Sequence, residues 1–337
     1  MKYDRILLAH GGGGLLTNEL IQEVFLPAFA NPLLAPLADG ALMQIGQEKL
    51  CFTTDSYVVH PIFFPGGNIG SLAVHGTVND VAMCGGTPLY LSAGFILEEG
   101  FSLASLREII EAMAEAARQA QVHIVTGDTK VVPKGAADGI FINTAGVGVI
   151  RYPSPIATAS IQPGDAIILN GTIGDHGAAL VNAREGFGFV SDLESDSAPL
   201  NHLVAAVLDT CDSVHAMRDC TRGGLGTILA EMAEQSAIMM EIDETALPIR
   251  ETVRGFCEVL GFDPLFLANE GKMILFCAEK DAPKALAAMR LNPYGRDAAI
   301  IGRVRASSPR GRVIMKNAIG SSREITLPAH ELLPRIC

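Results

Sequence analysis

A chain of 337 residues is long enough for two domains with a sizeable core. With 25 Lys plus Arg against 37 Asp plus Glu, its net charge of -12 argues against a nucleic-acid surface. Hydrophobic residues reach 49%, yet the stretch nearest to a membrane span, residues 81–97, lacks charge but contains Gly85, Gly86, Pro88 and Gly94 and reads as buried strand and turn.

In chain order, the N-terminus lacks a basic-then-apolar leader with a small-residue cleavage site, so a cytoplasmic protein with reduced thiols is expected. The glycine run Gly11, Gly12, Gly13 and Gly14 precedes residues 15–29, where Leu16, Leu20, Val24 and Phe25 share a helical face. Its amides could open towards a phosphate, or the run is a plain flexible loop. It is neither a P-loop nor a dinucleotide fingerprint. Residues 50–54, 122–126 and 139–149 are β-rich runs bounded by turn residues. Between the first two, apolar residues recur at helical spacing over 102–121, with Ser105 and Glu108 as a capping box; this helix is expected to cover one side of a sheet. Two prolines in Arg151-Tyr152-Pro153-Ser154-Pro155 suggest a boundary, giving domains 1–152 and 153–326. The second opens with a strand at 166–169 and a helix from His176, followed by a helix over 225–235 with Thr221 as its N-cap. Residues 327–337 read as a flexible tail.

Seven cysteines, Cys51, Cys84, Cys211, Cys220, Cys257, Cys277 and Cys337, form no Cys-x-x-Cys pair, and an odd number cannot pair off within one chain. Six read as small buried hydrophobes, and Cys211, His215 and Cys220 do not have an established zinc spacing. Cys337 is the last residue. On a proline-spaced tail, ten extended residues from Pro328 reach about 33 to 36 Å, enough to present its thiol to a site elsewhere.

Three carboxylates suit a magnesium–phosphate site. Asp55, Asp80 and Asp128 each fall at the end of an element near glycines, although any one alone reads equally as a cap or turn residue. Gly127, Thr221 and Gly223 belong to the same set of turns able to face an anion. Lys130 either stabilises phosphoryl charge or is a surface lysine. Glu270, just before the apolar run 273–277, is either a site carboxylate or a strand-entry turn residue.

The segments Phe52-Thr53-Thr54-Asp55-Ser56-Tyr57, Phe63-Phe64-Pro65-Gly66-Gly67-Asn68-Ile69-Gly70, Asn79-Asp80-Val81-Ala82, Gly94-Phe95-Ile96-Leu97-Glu98-Glu99-Gly100, Thr126-Gly127-Asp128-Thr129-Lys130-Val131-Val132, Gly174-Asp175-His176-Gly177, Thr221-Arg222-Gly223-Gly224, Ala268-Asn269-Glu270-Gly271-Lys272 and Pro334-Arg335-Ile336-Cys337 together resemble the HypE family of hydrogenase maturation factors, the carbamoyl dehydratases, over nearly the whole chain. The resemblance implies an α+β, two-lobed PurM-like fold related to AIR synthetase, with mixed sheets covered by helices. It also implies a homodimer built through the N-terminal lobes, with ATP at the lobe and dimer junction. Mg2+ would be held by residues matching Asp55, Asp80 and Asp128, with Lys130 adding electrostatic stabilisation and Glu270 as the base. In that family the cysteine matching Cys337 receives a carbamoyl group from HypF and is dehydrated with ATP to a thiocyanate. Its cyanide passes to iron on the HypC-HypD complex and becomes a ligand of the [NiFe]-hydrogenase centre. The competing expectations are another ATP-using PurM-like enzyme, such as a small-molecule kinase or a selenophosphate synthetase, and a nucleotide-binding carrier that holds a carbamoyl group without dehydrating it.

Overall fold

A computed structural model gives the fold and describes residues 4–12, 14–185, 192–328 and 335–337. The chain opens with a 3-10 turn (Leu8–Gly11), then α1 (Leu15–Leu20), a π-helical turn (Ile21–Phe25) and α2 (Leu26–Phe29). The N-terminal lobe continues through β1 (Ala41–Ile45), β2 (Glu48–Tyr57), a small hairpin of β3 (Phe63–Phe64) and β4 (Gly67–Asn68), α3 (Ile69–Met83), β5 (Gly86–Glu98), α4 (Leu103–Ala120), β6 (His123–Val132) and β7 (Ile140–Ile150). Its main sheet has the order β1-β2-β7-β5-β6. Only the β5–β6 pair is parallel, because α4 supplies the crossover that a parallel pair requires.

The C-terminal lobe comprises β8 (Ala166–Leu169), α5 (Asp175–Glu185), α6 (Asn201–Thr210), β9 (Val214–Asp219), α7 (Gly224–Ser236), β10 (Ile238–Asp243), α8 (Glu251–Leu260), β11 (Met273–Cys277), α9 (Ala282–Leu291), β12 (Ala299–Ser307), β13 (Arg312–Lys316) and β14 (Ser322–Ile325). They form a seven-stranded sheet, β14-β13-β10-β12-β8-β11-β9. Every residue of β8 and β11 is buried, which is why these strands read as unbroken apolar runs and do not alternate. One face packs against α7 through Leu225, Leu229 and Met232; the other packs against α6 and α9 through Leu203, Val207, Ala285 and Met289. Each fully buried side chain of this size contributes about 1.5 to 3 kcal/mol. The whole is α+β, with mixed sheets packed against helices, as the resemblance implies.

α3 joins the lobes. It is apolar almost all round, packing Leu72, Val74 and Val78 into the first lobe and Ala82 and Met83 into the second. Asn68 caps its start by accepting from the Gly70 and Ser71 amides. α4 packs Ile109 and Met113 into the same core as α3, so the helix expected on the sheet lies in the layer with α3. Its cap is Ser102, which accepts from the Ser105 amide, and not a box starting at Ser105. Thr221 likewise does not cap α7: that place is taken by Gly223, at φ 75. The stretch 81–97 divides between the end of α3 and β5. The tail expected to be free ends fixed: Ile336 and Cys337 lie in the core, while 329–334 fall outside the described residues.

Candidate active site

A cavity of about 250 Å³ lies between the lobes, where β2 and α3 of the first meet the end of β9, the start of α7 and the 268–272 loop of the second. Its walls carry Asp39, Thr53, Asp55, Asp80, Arg218, Asp219, Thr221, Arg222, Glu270 and Cys337. Asp80 lies in the last turn of α3, at the end of its element as expected, whereas β2 runs on past Asp55 to Tyr57. Strand alternation puts Thr53 and Asp55 on one face of β2. Thr53 Oγ1 is 2.8 Å from both Asp80 Oδ2 and the Asp39 carbonyl, tying the helix to the loop before β1.

The charges do not balance. Five side-chain carboxyls face two guanidiniums, and Arg218 is already engaged with Asp39 at 2.9 Å. Burial, and then repulsion from Asp219, Asp39 and Asp55, hold Asp80 well above the usual carboxylate range. Asp219 is pushed up to about 8, by burial first and then by Asp39, with Arg218 opposing. Glu270 is also raised well above its usual value by burial and by Asp219, Asp196 and Asp55. Its Oε1 is buried without a hydrogen-bond partner. Such crowded oxygen donors suit a hard divalent cation and repel a bare polyphosphate, so the residues fit a nucleotide only together with its metal. Among the described residues, however, no group of three or more His, Cys, Asp or Glu side chains is arranged to hold an ion unaided.

Glu270 is fixed through its backbone. Its N–H donates to Asp196 Oδ1 at 3.0 Å, and its carbonyl accepts from Asn79 Nδ2 of α3 at 3.3 Å. Asp196 also pairs with buried Lys272 at 2.8 Å, and this charge holds its carboxyl low against the cost of burial.

Cys337 enters the cavity from the far end of the sequence. The Val58 amide donates to its carbonyl at 3.1 Å and the His60 amide donates to Arg335 O at 3.2 Å, so the tail runs beside the segment after β2. Ile336 and Cys337 join the core of the first lobe. Burial pushes the thiol up, and Arg222 opposes that shift. Arg222 also donates to the Gly11 carbonyl at 2.8 Å, so among the described residues the glycine run meets the site through a carbonyl. Gly13 lies outside the described residues, and neither Gly11 nor Gly12 lines the cavity.

Residues 37–150 match the family described as AIR synthase related protein, N-terminal domain, and residues 162–314 match its C-terminal domain. Carbamoyl dehydratase HypE of Azotobacter vinelandii is 51% identical over 330 residues, covering 98% of this chain and 96% of its own length. The chain belongs to the HypE carbamoyl dehydratase family. Two solved HypE structures are similar to it. One, a HypE-HypF complex, has a TM-score of 0.87 at 45% identity, covering 92% of this chain and 99% of its own. The other, hydrogenase maturation protein HypE in complex with ATP, has a TM-score of 0.84 at 48% identity, covering 99% and 100%.

Of the HypE-like residues expected from the sequence, Asp55, Asp80, Thr221, Glu270 and Cys337 come together. Asp128 and Lys130 do not. They sit on β6, the edge strand, as an exposed ion pair at 2.6 Å, so the three expected metal carboxylates are not assembled within one chain. Gly127 has a packing reason: a Cβ there would lie 2.4 Å from the Ala93 carbonyl of β5. Gly223 serves the positive φ that starts α7 and is not a cavity residue. Sequence reasoning missed Asp39, Thr53, Arg218, Asp219 and Arg222. Asp219 ends β9 and fits the strand-end rule that singled out the others. Asp39 carried no such signal, because its partner Arg218 is distant in sequence.

Proposed function

We propose that this protein dehydrates a carbamoyl group on its own Cys337 to a thiocyanate, using ATP and Mg2+, and that the cyanide then supplies the iron centre of a [NiFe]-hydrogenase. The observation that carries this reading is Cys337 itself, seated within the same cavity as Glu270 and the carboxylate cluster. A thiol and a base in one cavity is what a reaction on the thiol's own substituent requires.

The amide oxygen of a thiocarbamate is a poor leaving group. Transfer of the ATP γ-phosphoryl group to that oxygen converts it to phosphate; the nitrogen gives up both protons, and phosphate departs to leave S-C≡N. Mg2+, held by Asp55 and Asp80 with Asp219 and Asp39 beside them, would neutralise phosphate charge. Arg222 faces the Cys337 end of the cavity and balances developing negative charge there. Glu270, in its ionised form, takes one nitrogen proton, which its buried carboxyl then favours keeping, and the departing phosphate carries off the other. Asp128 and Lys130 fit the reading if a second copy covers the first sheet. The outer face of that sheet leaves Phe52, Tyr90 and Ile96 exposed, so we propose a homodimer through this face, with an ATP site completed at the junction. HypF would load the carbamoyl group and the HypC-HypD complex would accept the cyanide. Both exchanges require the tail to swing outward from its inward seat.

The test is to supply the full chain with HypF, a carbamoyl donor and ATP, then follow the mass of the C-terminal peptide. Carbamoylation at Cys337 followed by ATP-dependent loss of one water is expected. A carbamoyl adduct that persists while ATP binds would support the carrier reading instead.

A further inference from the structure

We infer that His176, anchored by Ser195, is the residue that positions the carbamoyl-bearing tail for reaction, an assignment that rests on the dehydratase reading above. His176 is the second residue of α5 and is fully buried. Its Nε2 lies 2.8 Å from the Ile336 carbonyl, next to Cys337, and its Nδ1 lies 2.7 Å from Ser195 Oγ. Phe64 packs edge-on against the ring at a centroid distance of 5.6 Å.

The hydrogen positions follow from the partners. A carbonyl oxygen only accepts, so Nε2 must carry the hydrogen. Burial lowers the pKa of the ring and keeps it neutral, which leaves Nδ1 as an acceptor for the Ser195 hydroxyl. The Ile336 carbonyl therefore sets the tautomer, and Ser195 anchors the other side of the ring that grips the tail. Without Ser195, the buried Nδ1 has no donor and the ring is no longer held against the Ile336 carbonyl.

Ser195 is itself fixed, its amide donating to Pro65 O at 2.8 Å and its Oγ accepting from the Ser197 amide at 3.1 Å. The next residue, Asp196, accepts from the amides of Glu270 and Gly271 and from Lys272 Nζ. One short segment thus sets both the tail, through His176, and the loop that carries Glu270. A link of this kind keeps the reacting carbon in register with the base, where a displacement of about 1 Å can cost about 100-fold. The other tail contacts grip Arg335 and Cys337. Among the described residues, His176 is the side chain that holds the Ile336 carbonyl.

The experiment uses the full chain and two readouts: the rate at which N-ethylmaleimide labels Cys337, read from the C-terminal peptide, and single-turnover dehydration at saturating ATP. Removing one buried hydrogen bond in Ser195→Ala is expected to speed labelling about tenfold and slow dehydration about tenfold, with ATP affinity unchanged. Ser195→Thr, which keeps the hydroxyl, restores both rates. His176→Phe behaves like Ser195→Ala, whereas His176→Gln, which retains an N–H near the Nε2 position, stays close to wild type. Wild-type labelling and dehydration rates in Ser195→Ala overturn the proposal, and that variant does not depend on His176→Phe folding. Should the wild-type chain fail to dehydrate at all, the dehydratase reading falls, and the labelling comparison still decides whether His176 and Ser195 hold the tail.

Discussion

Cys337 and Glu270 approach one another from positions that share no local pattern. Glu270→Gln removes the proton acceptor while keeping shape, so the carbamoyl adduct should accumulate on Cys337 and its dehydration should fall by about 100- to 10,000-fold with ATP still bound. Peptide mass against time checks this; an undiminished rate removes Glu270 from proton handling. Asp219 gives a pH test. Its carboxyl stands at about 8 when folded against an ordinary value of 3.8. The folded state therefore holds the proton more tightly, and the stability this contributes is fully present below about 4 and lost as pH rises through about 8. In ligand-free protein the Tm should fall across that window, and Asp219→Asn should flatten the fall; an unchanged slope contradicts the assignment. Much of the chemistry at this scale was legible, because Asp55, Asp80, Glu270 and Cys337 stand out from their surroundings even in one dimension. Asp39 was not, since it reads as an ordinary turn residue in Ala38-Asp39-Gly40 until folding places Arg218 beside it.

α3 shows how an element's interior serves the site. Gly76 lines the cavity, and a Cβ there would come within 2.3 Å of Tyr57 Oη. Alanine is favoured over glycine in a helix by about 1 kcal/mol, but overpacking a buried contact costs about 1 to 3 kcal/mol. Gly76→Ala should therefore destabilise the protein, lowering the denaturation midpoint; a rise would mean that Tyr57 yields freely. The β-rich runs over 50–54, 122–126 and 139–149 became β2, β6 and β7 because turn residues bound each one and β-branched or aromatic side chains fill it. Helix starts were less legible. Gly223 at positive φ and Ser102 three residues ahead of the expected box are set by how each chain segment enters its lobe, which periodicity does not encode.

For the whole molecule, the proposed second copy would account both for the uncovered face of the first sheet and for the displaced pair Asp128 and Lys130. Val125 is 59% exposed on β6, and a charge there opposes burial of that strand. Val125→Asp should give a folded monomer by light scattering with weakened ATP binding; a dimer with normal ATP affinity would place the interface elsewhere. No sequence pattern could show that β6 is exposed, because its residues read as an ordinary strand, and only the sheet order sets it at the edge. The central claim is that ATP activates the carbamoyl oxygen on Cys337. Loading the tail with an 18O-labelled carbamoyl group and supplying ATP tests it most directly. The account predicts that the label appears in inorganic phosphate, one for each ADP formed, as the thiocyanate appears on the C-terminal peptide. Label released as water, with ATP intact, would contradict it.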